Sequence, residues 1–364
     1  MSSKLRVGIV GADANGQGWA PLAHFPALRA LPEYEIAALC TAHAETARAA
    51  SARYGVAKAY DDPQALFADP DIDVVSVVVR APNHHAVVMQ ALRAGKPVYC
   101  EWPLGVTTAQ AEDMASLAAA RRVPAVVGLQ ARCDPVLRYA GDLVAQRYIG
   151  DVLSVTLSMM SPGLPERPRS KLWERELAGG VSALTIRGMH ALEAMAVCVG
   201  ELAEVSARMA TQVKQWRVAE TGELVDVEVP DNVIIAGRLQ NGGALGAHIA
   251  TVPYAASGFR MEIYGADGTL VVSTAGAPQR DANTLVGVKR GSKLERLSVP
   301  EQYVEVPPDT PVGPPRNVAH LYRRLAGAIR DGVAAEPGFA HALARHRLID
   351  AIARSSREGR PQAL

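Results

Sequence analysis

No run of apolar residues in the 364-residue chain reaches the ~18 positions that a membrane-spanning helix needs, so no membrane partner is expected. Cysteine is scarce. Cys40, Cys100, Cys133 and Cys198 stand far apart with no C-x-x-C spacing, which argues against a disulfide framework or a thiolate metal site and for reduced thiols in a core. A surplus of one charge is also lacking, because 38 Lys and Arg face 37 Asp and Glu, a formal net charge of +1. Binding to a phosphate backbone needs a basic stripe, so nucleic acid is not an expected partner. The opening Met1-Ser2-Ser3-Lys4-Leu5-Arg6 has neither the apolar core nor the small-residue cleavage site of a secretion signal, and a cytoplasmic protein is expected.

The length suits two domains. Over the first part, short apolar runs alternate with alanine-rich helical patterns, the signature of βαβ units in a parallel sheet. Strands are expected at Leu5 to Val10, Tyr34 to Cys40, Val74 to Val79, Val98 to Cys100 and Ala125 to Gly128. Helices are expected at Ala42 to Tyr54, His84 to Ala94, Thr108 to Arg121 and Pro135 to Gln146. From Asp151 the runs lengthen and alternate, at Val152 to Met160, Val205 to Thr211, Val233 to Leu239, Ala244 to Thr251, Phe259 to Tyr264 and Thr269 to Val272. Turn residues at Asn241-Gly242-Gly243 and Ala266-Asp267-Gly268 suit hairpins. The expectation is a mainly antiparallel sheet covered on one face by a helix from Gly180 to Cys198, with closing helices at Asn317 to Asp331 and Phe339 to Ser356. The uncovered face leaves surface to bury, so a homodimer or homotetramer through that sheet is expected.

The first strand runs into Gly8-Ile9-Val10-Gly11-Ala12-Asp13-Ala14-Asn15-Gly16-Gln17-Gly18-Trp19. A glycine turn between strand and helix lets backbone amides approach a pyrophosphate. The G-x-G-x-x-G fingerprint is incomplete, since counting from Gly11 the middle glycine is Asp13 and the last is Gly16. Gly11, Ala12, Asn15, Gly16 and Trp19 are the candidate contacts. At the end of the second strand, where an acid would bind a ribose, stands Thr41. Its hydroxyl permits a 2′-phosphate, and a helix cap is the plainer role for it; NADP or NAD is the expected cofactor.

Val98-Tyr-Cys-Glu101-Trp102-Pro103-Leu-Gly105, with Ala91-Leu-Arg-Ala-Gly-Lys-Pro97 before it and Gly128-Leu-Gln130-Ala-Arg132 and Tyr148-Ile-Gly-Asp151 after it, resembles the Gfo/Idh/MocA oxidoreductase family. The resemblance covers essentially the whole chain. It implies an α/β fold with a Rossmann domain over residues 1–125 and a substrate-binding and oligomerisation α+β domain with a large antiparallel sheet over 126–364. It also implies an NAD(P)-dependent oxidoreductase that acts on a sugar, sugar derivative or cyclic polyol by hydride transfer. The family carries lysine after the glutamate, and here that place is Trp102, whose indole cannot take a proton. The family's helix histidine matches His190, and the aspartate expected four residues before it is Ile186. Glu-Trp-Pro in place of Glu-Lys-Pro is similar to the branch that contains the fungal galactose-regulon repressor. That similarity implies an alternative, a non-catalytic NAD(P)-binding sensor or regulator.

His190, Glu101 and Trp102 are therefore the candidate catalytic residues. An imidazole with an ordinary pKa near 6.5 suits proton exchange, although a histidine among Leu184, Met189, Leu192 and Met195 also reads as a core residue. Glu101 lies at a strand tip, the ligand edge of open α/β sheets, where it serves either as a structural anchor or beside the nicotinamide. Pro103 favours a cis peptide after Trp102. Arg80, Pro82 and His84 follow the central strand and, with Gln130, complete the cofactor set. Arg132, Trp173, Arg187 and Tyr254 are candidates for lining a polyol pocket. No metal ligands are expected.

Overall fold

The computed structural model describes residues 4–12, 14–163 and 165–364. Contacts divide the chain into two units, one of Met1–Gln130 with Val304–Ala344 and one of Ala131–Tyr303 with Arg345–Leu364. The first unit thus takes back a late segment that the sequence reading put in the second.

Among the described residues, the first unit is built on strands β1 (Leu5–Val10), β2 (Tyr34–Cys40), β3 (Lys58–Tyr60), β4 (Val74–Val77), β5 (Val98–Glu101) and β6 (Ala125–Gly128). They form one sheet in the order β3-β2-β1-β4-β5-β6, parallel throughout. This is the doubly wound dinucleotide-binding order, and its direction reverses between β1 and β4, where ligands bind. All of β4 is buried, as a strand covered on both faces requires. Helices α1 (Phe25–Ala30), α2 (Ala44–Tyr54), α3 (Pro63–Ala68), α4 (His84–Arg93) and α5 (Thr108–Arg121) connect the strands. The short β3 and α3 have too few residues to show a periodicity.

The second unit opens with α6 (Pro135–Ala145), capped by Asp134, whose carboxylate accepts from the amides of Val136 and Leu137. A single turn of π-helix, Ala183–Gly188, precedes α7 (Met189–Val199), so the helix expected from Gly180 is regular only in its second half. Ser182 and Thr185 close a reciprocal capping box at its start. In the first unit α8 (Pro314–Asp331) packs near β6 and α1. Helix α9 (Phe339–Glu358) begins in the first unit and ends in the second.

The large sheet draws on β7 (Val152–Pro162), β9 (Leu202–Ala210), β12 (Asn232–Leu239), β13 (Ala244–Val252), β14 (Gly258–Gly265), β15 (Gly268–Thr274), β16 (Thr284–Lys289), β17 (Glu295–Arg296) and β18 (Gln362–Ala363); β8 (Glu166–Arg167), β10 (Gln215–Val218) and β11 (Leu224–Asp226) form a small one. The large order is β17-β16-β15-β14-β7-β13-β12-β9-β18, antiparallel except where β7 and β13 run together. Both expected hairpins are present, β12 with β13 and β14 with β15. Helices α6 and α7 pack on each other and on this sheet. The opposite face carries, in one cross-strand row, Ser206, Ala236, Gly246, Thr156 and Glu262. All four cysteines are free and buried. No helix among the described residues is long and apolar enough to cross a membrane.

Candidate active site

In the first unit β1 ends in a turn that only glycine makes cheaply. Gly11 has φ +104°, and a Cβ there would stand 2.4 Å from the Val78 carbonyl oxygen; its amide donates to the Cys40 carbonyl at 2.9 Å. Gly16 also has positive φ, and a Cβ on it would lie 2.6 Å from a guanidinium nitrogen of Arg53, so a cation stands beside the turn. Ala12 is buried and Asn15 exposed. Asp13 lies outside the described residues.

Thr41 is not the cap of α2, which begins two residues later than the sequence reading had it, with His43 at the N-cap. Its hydroxyl instead donates to the His43 carbonyl at 3.0 Å and lies 2.6 Å from the Thr46 hydroxyl. Arg80 and Pro82 are exposed at the end of β4. His84 is 1% exposed, with Nδ1 at 2.8 Å from the Pro103 carbonyl and Nε2 at 3.0 Å from that of Val79. Burial pushes its pKa down. It fastens the turn that carries Trp102 and Pro103, joined by a cis peptide.

Glu101, at the tip of β5, is the hub of this unit. His24 Nε2 lies 2.9 Å from one carboxylate oxygen, and the Gln130 amide donates to the other at 2.8 Å. His24 Nδ1 is 2.7 Å from the Tyr322 hydroxyl, itself 2.7 Å from that of Ser76. A proton on His24 Nε2 satisfies every group in order: Ser76 donates to Tyr322, Tyr322 to Nδ1, and Nε2–H to Glu101. Burial would push the Glu101 carboxyl up, but the hydrogen bond and charge of His24 and the hydrogen bond from Gln130 outweigh it and hold the group below the ordinary carboxylate range. Gly128 makes the cluster possible, since a Cβ there would fall 2.5 Å from a Glu101 oxygen. The Gln130 carbonyl oxygen is buried with no partner among the described residues. A cradle bare of Cβ atoms and this unused acceptor fit a dinucleotide.

His190 and Ile186 belong to the second unit. His190 is buried in the first turn of α7, 6% exposed. Glu193, a turn further on, is fully buried and held by Arg132 and Arg345, each at 2.6 Å; Arg345 pairs in turn with Glu201. Arg132 thus donates to a carboxylate of α7. Of the other pocket candidates, Tyr254 is 76% exposed and Trp173 does not line the unit's cavity, whereas Arg187 does. That cavity, about 590 Å³, also has Trp216 and Ile186 in its wall. Sequence reasoning missed His24, Tyr322, Arg53 and Trp216.

The sheet order and the glycine turn at its reversal point define the class, a Rossmann-type dinucleotide-binding unit with a separate α+β unit. Residues 5–129 match the model of the Gfo/Idh/MocA family, described as an oxidoreductase family with an NAD-binding Rossmann fold. The model of the Gal80p C-terminal domain matches residues 135–274. Dehydrogenase aclE of Aspergillus oryzae is 32% identical over 57% of this chain and 58% of that protein. The galactose/lactose metabolism regulatory protein GAL80 of Saccharomyces cerevisiae is 28% identical over 66% and 59%. Each match therefore spans less than two thirds of the relative's own length. In fold the chain is similar to a levoglucosan dehydrogenase solved with NADH and L-sorbose, with 22% identity, TM-score 0.86 and coverage of 100% and 99%.

Proposed function

We propose that this protein is an NAD(P)-dependent oxidoreductase that moves a hydride between the nicotinamide and a hydroxyl-bearing carbon of a sugar, sugar derivative or cyclic polyol. The observation that carries this reading is the Gly11 turn at the reversal point of a parallel sheet, where bare backbone meets a buried carboxylate hub. The bound dinucleotide supplies the redox chemistry, and the chain supplies binding and orientation. Amides at Gly11, Ala12, Asn15 and Gly16 hold the diphosphate, with Arg53 as the neighbouring cation and Trp19 following the turn. Thr41, Arg80 and Pro82 serve the outer half of the cofactor. No carboxylate follows β2 at Thr41 to repel a 2′-phosphate, so both NADP and NAD are accommodated. Glu101 and Gln130 serve the nicotinamide half, where the open Gln130 oxygen accepts from a carboxamide. Trp102 packs against the ring, and His84 holds its turn. His190 exchanges the substrate proton.

A second reading, an NAD(P)-binding sensor or regulator without turnover, is favoured by Trp102 and Ile186. Neither takes a proton, and they stand where the family has lysine and aspartate. Nicotinamide absorbance followed over a panel of sugars, polyols and their keto forms separates the two. Turnover that is lost in His190→Ala supports the oxidoreductase. Saturable NADH binding with no turnover on any member supports the regulator. The outer face of the large sheet, with the exposed Ile234, is our proposed surface for a homodimer or homotetramer.

A further inference from the structure

We propose that the ligand of the second unit's cavity is a hydroxylated small molecule bearing an anionic group, a carboxylate or a phosphate, held by Arg167 and Arg187. The inference rests on the substrate reading above and narrows it to an acidic class.

The cavity wall brings Arg167, Lys171, Arg187 and Arg280 together with Glu174, Asp231 and Asp281. The carboxylates are already engaged. Glu174 pairs with Lys171 at 3.1 Å. Asp231 accepts from the amides of Gln212 and Val213 at 2.8 and 2.7 Å, and Asp281 accepts from that of Ala277 at 2.8 Å. Arg167 and Arg187 have no ion pair within the described residues. The Arg167 Nε is buried without a hydrogen-bond partner there, while its guanidinium stands 5.0 Å from the Trp216 ring centroid. Burial, with the charges of Arg167 and Arg280 nearby, makes Arg187 less basic than an ordinary arginine. Two guanidiniums in one recess with no ion pair of their own, which the charge of Glu174 offsets only in part, suit a planar or tetrahedral oxyanion through paired N–H···O bonds. Trp216, 9% exposed, offers an apolar wall for the C–H face of a sugar ring, and Ser161, Ser182 and Thr251 bring hydroxyls to the same wall.

The test is thermal-shift and calorimetric titration of the full chain with D-glucuronate, D-galacturonate, D-gluconate, D-glucose 6-phosphate, D-glucose and D-galactose, in wild type, Arg187→Gln and Arg187→Lys. At least one acid or phosphate is expected to bind tenfold or more tightly than its neutral parent, and which of the two does so separates the sources. Arg187→Gln is expected to remove that preference and Arg187→Lys to keep part of it. The circular dichroism spectrum of each variant checks that it has folded. Equal affinity for the neutral sugars, no binding of any acid or phosphate, or a preference unchanged in Arg187→Gln would overturn the inference. NADH titrated separately reports on the dinucleotide reading, so the two fail independently.

Discussion

Glu101 and Glu193 are both carboxylates taken from water, and their surroundings separate their roles. Glu101 is met by His24 and the Gln130 amide, whereas Glu193 is closed between two arginines. Removing one partner from a buried ion pair costs about 3 kcal/mol or more. Glu193→Gln is therefore expected to lower the urea unfolding free energy by roughly that amount, and a change within about 0.5 kcal/mol, the size of an ordinary surface effect, would show that the pair does not hold the helix. His346 gives a pH dependence. Its imidazole is buried, and burial takes its pKa down to about 4. Between the ordinary value near 6.5 and about 4 the unfolded chain binds the extra proton, so stability is lost as pH falls through that window, by at most about 3 kcal/mol. Urea titrations at pH 7 and pH 4.5 are expected to show a smaller loss in His346→Gln than in wild type. Glu101 was legible from its Glu-Trp-Pro setting. Its partners were not, because His24 stands 77 positions away and Tyr322 a further 298 from His24, and no local pattern records such pairings.

Elements with a long period were read almost to the residue. β1, β2, β6 and α5 have the bounds expected, because apolar runs and caps such as Thr107 ahead of α5 are local signals. The π-turn before α7 was not, since its residues are as helix-like as those that follow. The Ser182–Thr185 box starts that segment, and Ser182→Ala is expected to cost about 1 kcal/mol in chemical unfolding; no change would mean that the turn is fixed by packing instead. The late segment of the first unit escaped the reading for a different reason. The Tyr322 ring packs against those of His24, Tyr34 and Tyr99, while the Val127 amide donates to the Pro337 carbonyl at 2.9 Å, so residues near the end of the chain complete a core begun at its start.

At the scale of the molecule, the proposed function divides the labour between the two units, with the dinucleotide assigned to the first and the substrate to the second. Ile234 is 54% exposed on the outer sheet face, between Arg208 and His248 in its row, and such an exposed apolar side chain is where the proposed self-association is tested. Ile234→Glu is expected to shift the sedimentation coefficient toward that of the monomer, and a wild-type protein that is already monomeric at micromolar concentration would remove the proposal. Dinucleotide binding is the claim on which the rest stands, and fluorescence titration of wild type and Gly11→Ala with NADH and NADPH tests it most directly. Saturable binding to wild type, weakened tenfold or more in the folded Gly11→Ala variant, is the result expected. Wild-type protein that binds neither cofactor at millimolar concentration would contradict the account.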